Sequence, residues 1–433
     1  MANISLSKLP AFRGTVTIPG DKSISHRAAI LAAIANGRSV IDNYSSAIDC
    51  QTTLKCLQML GADVRRSNQQ LVINGKGLKS LTEPDNILDC GNSGTTMRLL
   101  CGLLAGQDFS AVLNGDESLR RRPMERVIKP LNQNGAEICG SQTNRFAPLN
   151  IHGRALSSIF YHLPVASSQV KSALLLAGLY TQGTVQIEEP VVSRDHTERM
   201  LEFCGVDIKR DGYTISLGNK RQPSARQFQI PGDVSSAAFI MALALLIPNS
   251  QLRIENIGIN PTRTGLLTVL KAMGSEIKIE NQRLITNEPI GDLIIGSGVL
   301  KGTEIGGEII PRLIDELPLI AVIATQAKGQ TVVKNAAELR VKETDRIQAI
   351  VTELSKMGAA IEGRPDGFIV EGPVTLKGAT CDSYGDHRIA MALSVAGWIA
   401  EGQTTITNTV CVGISFPEFY QIVAKLSGLT NPN

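Results

Sequence analysis

IPGDKSISHRAAILAA, residues 18–33, runs a strand end, a small polar loop and an apolar helix together. The phrase returns five times: DCGNSGTTMRLLCGLL (89–104), LPVASSQVKSALLLAG (163–178), IPGDVSSAAFIMALAL (230–245), IIPRLIDELPLIAVIA (309–324) and DSYGDHRIAMALSVAG (382–397). A second phrase, a helix ending in glycine before a strand, keeps step with it. Its glycines are Gly61, Gly135, Gly205, Gly274, Gly358 and Gly428, spaced 74, 70, 69, 84 and 70 residues apart. A fixed period of this kind marks a repeat architecture, in which each copy is one supersecondary unit.

Each copy parses alike: a strand, the polar loop, an apolar helix, a second strand such as SVIDN or TVVKN, a second helix closed by its glycine, and a hairpin with turn signals such as Asp211-Gly212 and Asp366-Gly367. The unit is β-α-β-α-β-β, the fold class α/β. Asp21, Asn92, Ser168, Asp233 and Asp386 stand where they would cap the first helix. The sixth copy stops at Gly428 without its hairpin, and ISLSKLPAFRGTVTIPG at the start resembles the missing piece. This spacing predicts two lobes of three units: 1–19 plus 230–433, containing both termini, and 20–229. The chain would cross between them near Ile18–Asp21 and Ile230–Asp233, making a hinge, with a ligand site in the cleft.

The bulk numbers are those of an ordinary globular protein. At 433 residues, two domains are the default. The chain is 43% hydrophobic and 19% charged, and its net charge of +3 gives no argument for nucleic acid or a membrane surface. Eight cysteines without a CxxC pair suggest reduced thiols in the cytoplasm. No apolar run suits a signal peptide or a bilayer span.

Charge is misplaced in a pattern. A cation near a helix N-terminus is unfavourable by about 0.3–1 kcal/mol, yet Lys22, Arg27, Arg98, Lys171 and Arg388 all fall in the first two turns of first helices. Helix N-termini joined by cations make an anion site. The fourth copy, VSSAAF, carries no extra charge and looks like scaffolding. In AELRVKETDRIQAIVTEL (337–354) a helix starting near Lys342 would stack Lys342 and Arg346 at i and i+4, a like-charge pair that destabilises a free helix. That pair would hold anions, with Glu343 beside it for proton transfer. Asp315 heads an apolar helix without a local cation; it is either an acid–base group or an N-cap, with Glu316 competing for the cap. Of Arg120, Arg121 and Arg122, the last adjoins Pro123 at a helix start and is the one expected to function. His196 in SRDHTERM is more readily structural or solvated, though a base is the alternative. There is no GxxxxGK[ST] loop, GxGxxG, HExxH, Gly-x-Ser-x-Gly elbow or carboxylate cluster for a metal. Many cations, few isolated acids and no metal or cofactor suit transfer chemistry on small polyanions.

PGDKSISHR, GNSGTTMR, RRPM, SSQVK, SRDHTER, RVKETDR and GDHRIAM occur in this order at repeat spacing. By these motifs the chain resembles the 5-enolpyruvylshikimate-3-phosphate synthases (3-phosphoshikimate 1-carboxyvinyltransferases) over its whole length, with GNSGTTMRL and SRDHTER similar to the class II branch. The resemblance implies a two-lobed inside-out α/β barrel of six units. It implies transfer of the enolpyruvyl group of phosphoenolpyruvate to the 5-hydroxyl of shikimate 3-phosphate, with release of phosphate, by a cytoplasmic monomer that needs no cofactor. It also implies residue roles. Lys22, Ser23, Arg27, Ser167, Ser168, Gln169, Arg194, Asp315 and Lys342 would contact shikimate 3-phosphate. Lys22, Gly94, Arg122, Gln169, Arg346 and Arg388 would contact phosphoenolpyruvate. Asp315 would take the 5-hydroxyl proton and Glu343 would protonate the methylene carbon, with Lys22 completing the catalytic set. One departure stands out: class I members carry a lysine where CVGISFPEF has Ile414. The sister transferase acting on UDP-N-acetylglucosamine uses a cysteine in the loop that here reads GDESLRRRP, without one. A non-catalytic anion binder is the alternative of another class, but it would gain nothing from Asp315 and Glu343, which repel its ligand.

Overall fold

The computed structural model describes residues 3–67 and 70–428. Six first helices, Lys22–Ile34, Gly94–Ala105, Ser168–Gly178, Val234–Leu246, Leu317–Ala324 and His387–Ile399, are buried along nearly their whole length. Their sequences are apolar on every side, which suits a helix surrounded by protein. The second helices, Ile48–Met59, Glu125–Gln133, His196–Phe203, Gly265–Ala272, Arg346–Lys356 and Phe419–Ser427, each bury one face. All six spacing glycines that follow them have φ between +71° and +94°, the left-handed region where a Cβ is penalised. The period seen in the sequence is therefore a period of helix stops.

Each unit contributes one small sheet, and the second unit shows the pattern. Leu88–Asp89 runs parallel to Ser110–Asn114, which pairs antiparallel with Phe146–His152, which pairs antiparallel with Glu137–Gly140. Among the described residues five sheets have four strands and one has three. The three-stranded sheet belongs to the sixth unit, where Ile4–Ser7 pairs antiparallel with Gln403–Thr407. The other N-terminal strand does not join it. Arg13–Thr17 lies parallel to Gln251–Glu255 in the sheet of the fourth unit. Gln227–Gln229, just before the fourth copy, lies parallel to Val40–Asp42 in the sheet of the first. The strands that precede the two Pro-Gly-Asp loops are thus exchanged between units.

The chain divides into two compact units. One comprises residues 1–19, 231–283 and 289–433; the other comprises 20–230 and the hairpin tip 284–288. Each has its own core. Leu6, Phe12, Phe239, Leu293, Phe368, Trp398 and Phe419 belong to the first, and Ile24, Leu57, Met97, Leu149, Leu175, Met200 and Phe228 to the second. Within the second, helices 94–105 and 168–178 meet at backbone distance. A Cβ on Gly102 would fall 2.0 Å from the Ala173 carbonyl oxygen, so only glycine fits.

Candidate active site

In the unit 20–230 the N-termini of three first helices are tied together by side chains. Asp21, Ser93 and Ser167 cap them, accepting from the backbone N–H of Ile24, Thr96 and Val170. In the second and third copies the caps are thus Ser93 and Ser167, not Asn92 and Ser168: each helix starts one residue away from its expected position. Arg27 binds across the group, donating from Nε to Thr197 Oγ1 at 2.7 Å, from Nη2 to Ser172 Oγ at 2.8 Å and from Nη1 to the Ser23 carbonyl at 2.9 Å. Burial lowers its pKa to about 10; Glu198 and Asp21 pull the other way and Arg194 adds to the lowering. Lys22 Nζ lies 2.9 Å from Asp49 Oδ2. Gln169 bridges the other two helices, taking a bond from Arg98 Nη1 at 2.6 Å and giving one to Thr95 Oγ1 at 2.9 Å. Arg122 is buried and donates through Nη2 to Asn92 Oδ1 at 2.6 Å and Ser118 Oγ at 3.2 Å, while Arg120 and Arg121 are exposed. A Cβ on Gly94 would lie 2.9 Å from Arg98 Nη1 and 3.6 Å from Arg122 Nη1. Ser23, Ser168 and Arg194 are half-buried. His26 joins the helices from behind: its Nδ1 meets Thr53 Oγ1 at 2.6 Å, and Thr53 meets Thr96 at 2.7 Å. Burial first, then Lys22 and Arg27, push this ring well below the usual histidine range.

Lys171 is not part of an open anion array. It is fully buried, 3.1 Å from Glu189 and 2.7 Å from Glu198, and Arg210 reaches both carboxylates. His196 takes the structural alternative: it is buried, with its Nδ1 2.7 Å from Glu288 Oε1. The helix after the arginine run begins at Glu125, so Pro123 precedes it and is not in its first turn.

In the other unit a buried arginine gathers carboxylates. Arg346, 1% exposed, sits among three carboxylates. Its Nε meets Asp386 Oδ2 at 2.8 Å, its Nη1 meets Asp315 Oδ1 at 3.3 Å, and its Nη2 meets Glu343 Oε2 at 2.7 Å. Burial alone would lower its pKa, but Asp386, Glu343 and Asp315 outweigh it and hold the guanidinium charged. Lys342 Nζ is 3.9 Å from Asp315 Oδ1. The expected i, i+4 stacking of Lys342 and Arg346 is absent. A short 3₁₀ turn ends at Val341, Lys342 is extended (ψ −152°), and the helix begins at Arg346 with Asp345 as its cap. The two cations instead share Asp315. Nor does Asp315 cap a helix: Leu317–Ala324 begins two residues later, and Glu316 at the cap position makes no capping bond. Asp386 caps the last first helix through the Arg388 N–H at 2.8 Å. Arg388, 5% exposed, donates to the Ser235 carbonyl at 3.1 Å. Ile414 is half-buried against the core of this unit.

The helix N-termini of the unit 20–230 present donors suited to anions, and in the other unit the carboxylates of Asp315 and Glu343 are partly solvent-accessible at 18% and 17%. Sequence reasoning missed Asp49, Ser172, Thr197 and the role of Asp386 as a partner of Arg346. Only Asp386 had a signal, through its position before the His-Arg pair.

The comparisons with known proteins agree on one family. The profile of EPSP synthase (3-phosphoshikimate 1-carboxyvinyltransferase) matches residues 7–423. A 3-phosphoshikimate 1-carboxyvinyltransferase of Brevibacillus brevis is 50% identical over 415 residues, covering 96% of this chain and 97% of that protein. One of Bacillus cereus is 50% identical over 414 residues, with 96% of each covered. An EPSP synthase structure from Acinetobacter baumannii superposes with a TM-score of 0.88 at 41% identity, covering 98% of both chains. The enolpyruvyl transferase NikO of Streptomyces tendae, 16% identical with a TM-score of 0.80 and covering 98% of this chain and 97% of that one, shares the fold. This chain is a member of the EPSP synthase family.

Proposed function

We propose that the two arrays carry out the reaction of this family: phosphoenolpyruvate adds to the 5-hydroxyl of shikimate 3-phosphate, and phosphate then leaves to give 5-enolpyruvylshikimate 3-phosphate. Lys22, Ser23, Arg27, Ser167, Ser168, Gln169 and Arg194 would hold shikimate 3-phosphate. The three helix N-termini beneath them favour an anion before any side chain is counted. Gly94, Arg122, Arg346 and Arg388, with Lys22 and Gln169, would serve phosphoenolpyruvate. Asp315, with Lys342, would orient the ring hydroxyls and accept the 5-hydroxyl proton as the new C–O bond forms. Glu343 would give a proton to the methylene carbon and recover it when phosphate leaves. Fixed cations near the departing phosphate stabilise charge as it develops, and they need no reorganisation to do so.

The observation that carries this reading is the buried Arg346 with Asp315 and Glu343 on separate nitrogens. It holds two carboxylates apart in one place, as a proton acceptor and a proton donor on two substrates require. An anion binder has no use for them. The test is phosphate release with phosphoenolpyruvate plus shikimate 3-phosphate, against phosphoenolpyruvate plus UDP-N-acetylglucosamine. Release is expected only with the first pair. Glu343→Gln keeps an oxygen for Arg346 but loses the proton, so kcat should fall about a hundredfold or more while shikimate 3-phosphate still binds. No release by the parent protein with either pair refutes the reaction.

A further inference from the structure

The fourth copy of the phrase carries no charge beyond its capping Asp233, yet its Ser235 is a junction. It is fully buried. Its hydroxyl donates to Glu316 Oε1 and accepts from Arg263 Nη2 at 2.6 Å. Its carbonyl accepts from Arg388 Nη1 at 3.1 Å. Arg263 also reaches Asp233, the cap of the same helix, at 3.4 Å. Glu316 is 2% exposed, directly follows Asp315, and makes no capping bond although its position would allow one. One serine thus connects the first turn of helix Val234–Leu246, the segment that carries Asp315, the loop that carries Arg263, and the side chain of Arg388.

Stability alone does not account for this arrangement. Burying a carboxylate and a guanidinium costs several kcal/mol per ion, and well-packed apolar residues of similar size are often at least as stable. What hydrogen-bonded ions add is direction, which can specify one placement of the segments they join. We propose that Ser235 and Glu316, with Arg263 as their counter-charge, are positioning residues for the reaction. Glu316, adjoining Asp315 in the chain, anchors its backbone through Ser235, and Ser235 holds that anchor in register with Arg388. This inference rests on the proposed reaction, in which Asp315 takes the 5-hydroxyl proton.

The experiment uses the full-length chain and four variants: Glu316→Gln, Glu316→Leu, Ser235→Ala and the pair Ser235→Ala/Glu316→Leu. Phosphate release gives kcat and KM, calorimetry gives the affinity for shikimate 3-phosphate, and thermal melting reports folding. Glu316→Gln still accepts from Ser235 and should keep kcat within about threefold of the parent. Glu316→Leu should lower kcat about tenfold or more while affinity for shikimate 3-phosphate stays within about fivefold, because most of that contact surface lies on the other unit. Ser235→Ala should also lower kcat, and the double variant should be no worse than its worse parent, since both changes break one connection. Multiplicative losses in the double variant, or an unchanged kcat in Glu316→Leu, overturn the proposal. If Glu316→Leu does not fold, Ser235→Ala removes only a hydroxyl and decides alone: kcat equal to the parent's overturns it. Absence of turnover in the parent would instead strike the proposed reaction, and the two failures are distinguishable on that ground.

Discussion

At the scale of single residues, the cations that break the helix-dipole rule were visible in the sequence, but their partners were not. Lys22 and Lys171 look equivalent there, each an early lysine in a first helix. The structure leaves Lys22 partly exposed beside the buried carboxylate of Asp49 and seals Lys171 in a network with Glu189 and Glu198. The difference lies in Asp49, Glu189 and Glu198, which other elements supply and no local pattern announces. Removing Lys171 therefore tests stability, whereas Gly94 tests the site. The nearest atoms a methyl group there would meet are the side-chain ends of Arg98 and Arg122, which must shift to admit it. Gly94→Ala is expected to leave the melting temperature within a few degrees but to raise KM for phosphoenolpyruvate about tenfold, leaving KM for shikimate 3-phosphate little changed. Steady-state kinetics with each substrate varied in turn checks this, and an equal rise in both KM values would mean Gly94 does not face one substrate.

At the scale of elements, helices and their stops were legible because apolar periodicity and glycine act locally. Starts were less so. The helix after Lys342 begins four residues later than charge spacing suggested, because Asp345 offers a better cap and Lys342 is drawn to Asp315. The sheets hold a further polar device that no motif showed. Strands Gln251–Gly258 and Glu288–Gly296 shift register between Ile254 and Ile257, where Asn256 has φ +58°. Asp292 closes the irregularity, accepting from Asn256 N at 2.9 Å, Asn281 Nδ2 at 2.8 Å and Arg253 Nη2 at 2.6 Å. Burial by itself would raise the Asp292 pKa, but these three donors outweigh it and bring it below the usual carboxylate range. A group with a depressed folded-state pKa contributes stability above its unfolded value, about 3.9, and loses it as pH falls through the folded value. Asp292→Asn should therefore melt lower than the parent at pH 7, and the gap should close below about pH 4. A gap that stays constant from about pH 7 to pH 2 would assign the loss to packing.

At the scale of the whole molecule, the exchanged strands decide which pieces of chain can stand alone. The core of residues 20–230 draws all its buried side chains from Ile24 to Ile230, and its three sheets are complete only because Gln227–Gln229 pairs with Val40–Asp42. The other core is discontinuous. Without residues 1–19, the sheets of the fourth and sixth units each lose an outer strand, and Leu6, Leu9, Phe12, Val16 and Ile18 leave the core. The repeat period showed the sixth unit to be short, but it could not show that the two N-terminal strands go to different sheets. That depends on pairing at long sequence separation, which local pattern does not encode. A fragment of residues 20–230 should therefore fold cooperatively, at some cost from the lost Glu288 partner of His196. It should bind shikimate 3-phosphate weakly and release no phosphate, since Asp315, Lys342, Glu343, Arg346 and Arg388 are absent. Residues 231–433 should fold poorly alone and recover when 1–19 are joined to them through a linker, because burying five large apolar side chains is worth several kcal/mol. Circular dichroism and denaturant titration compare the three pieces. If 231–433 proves as stable without 1–19 as with them, the exchanged strand is ornament, and the continuity of the core has been misjudged.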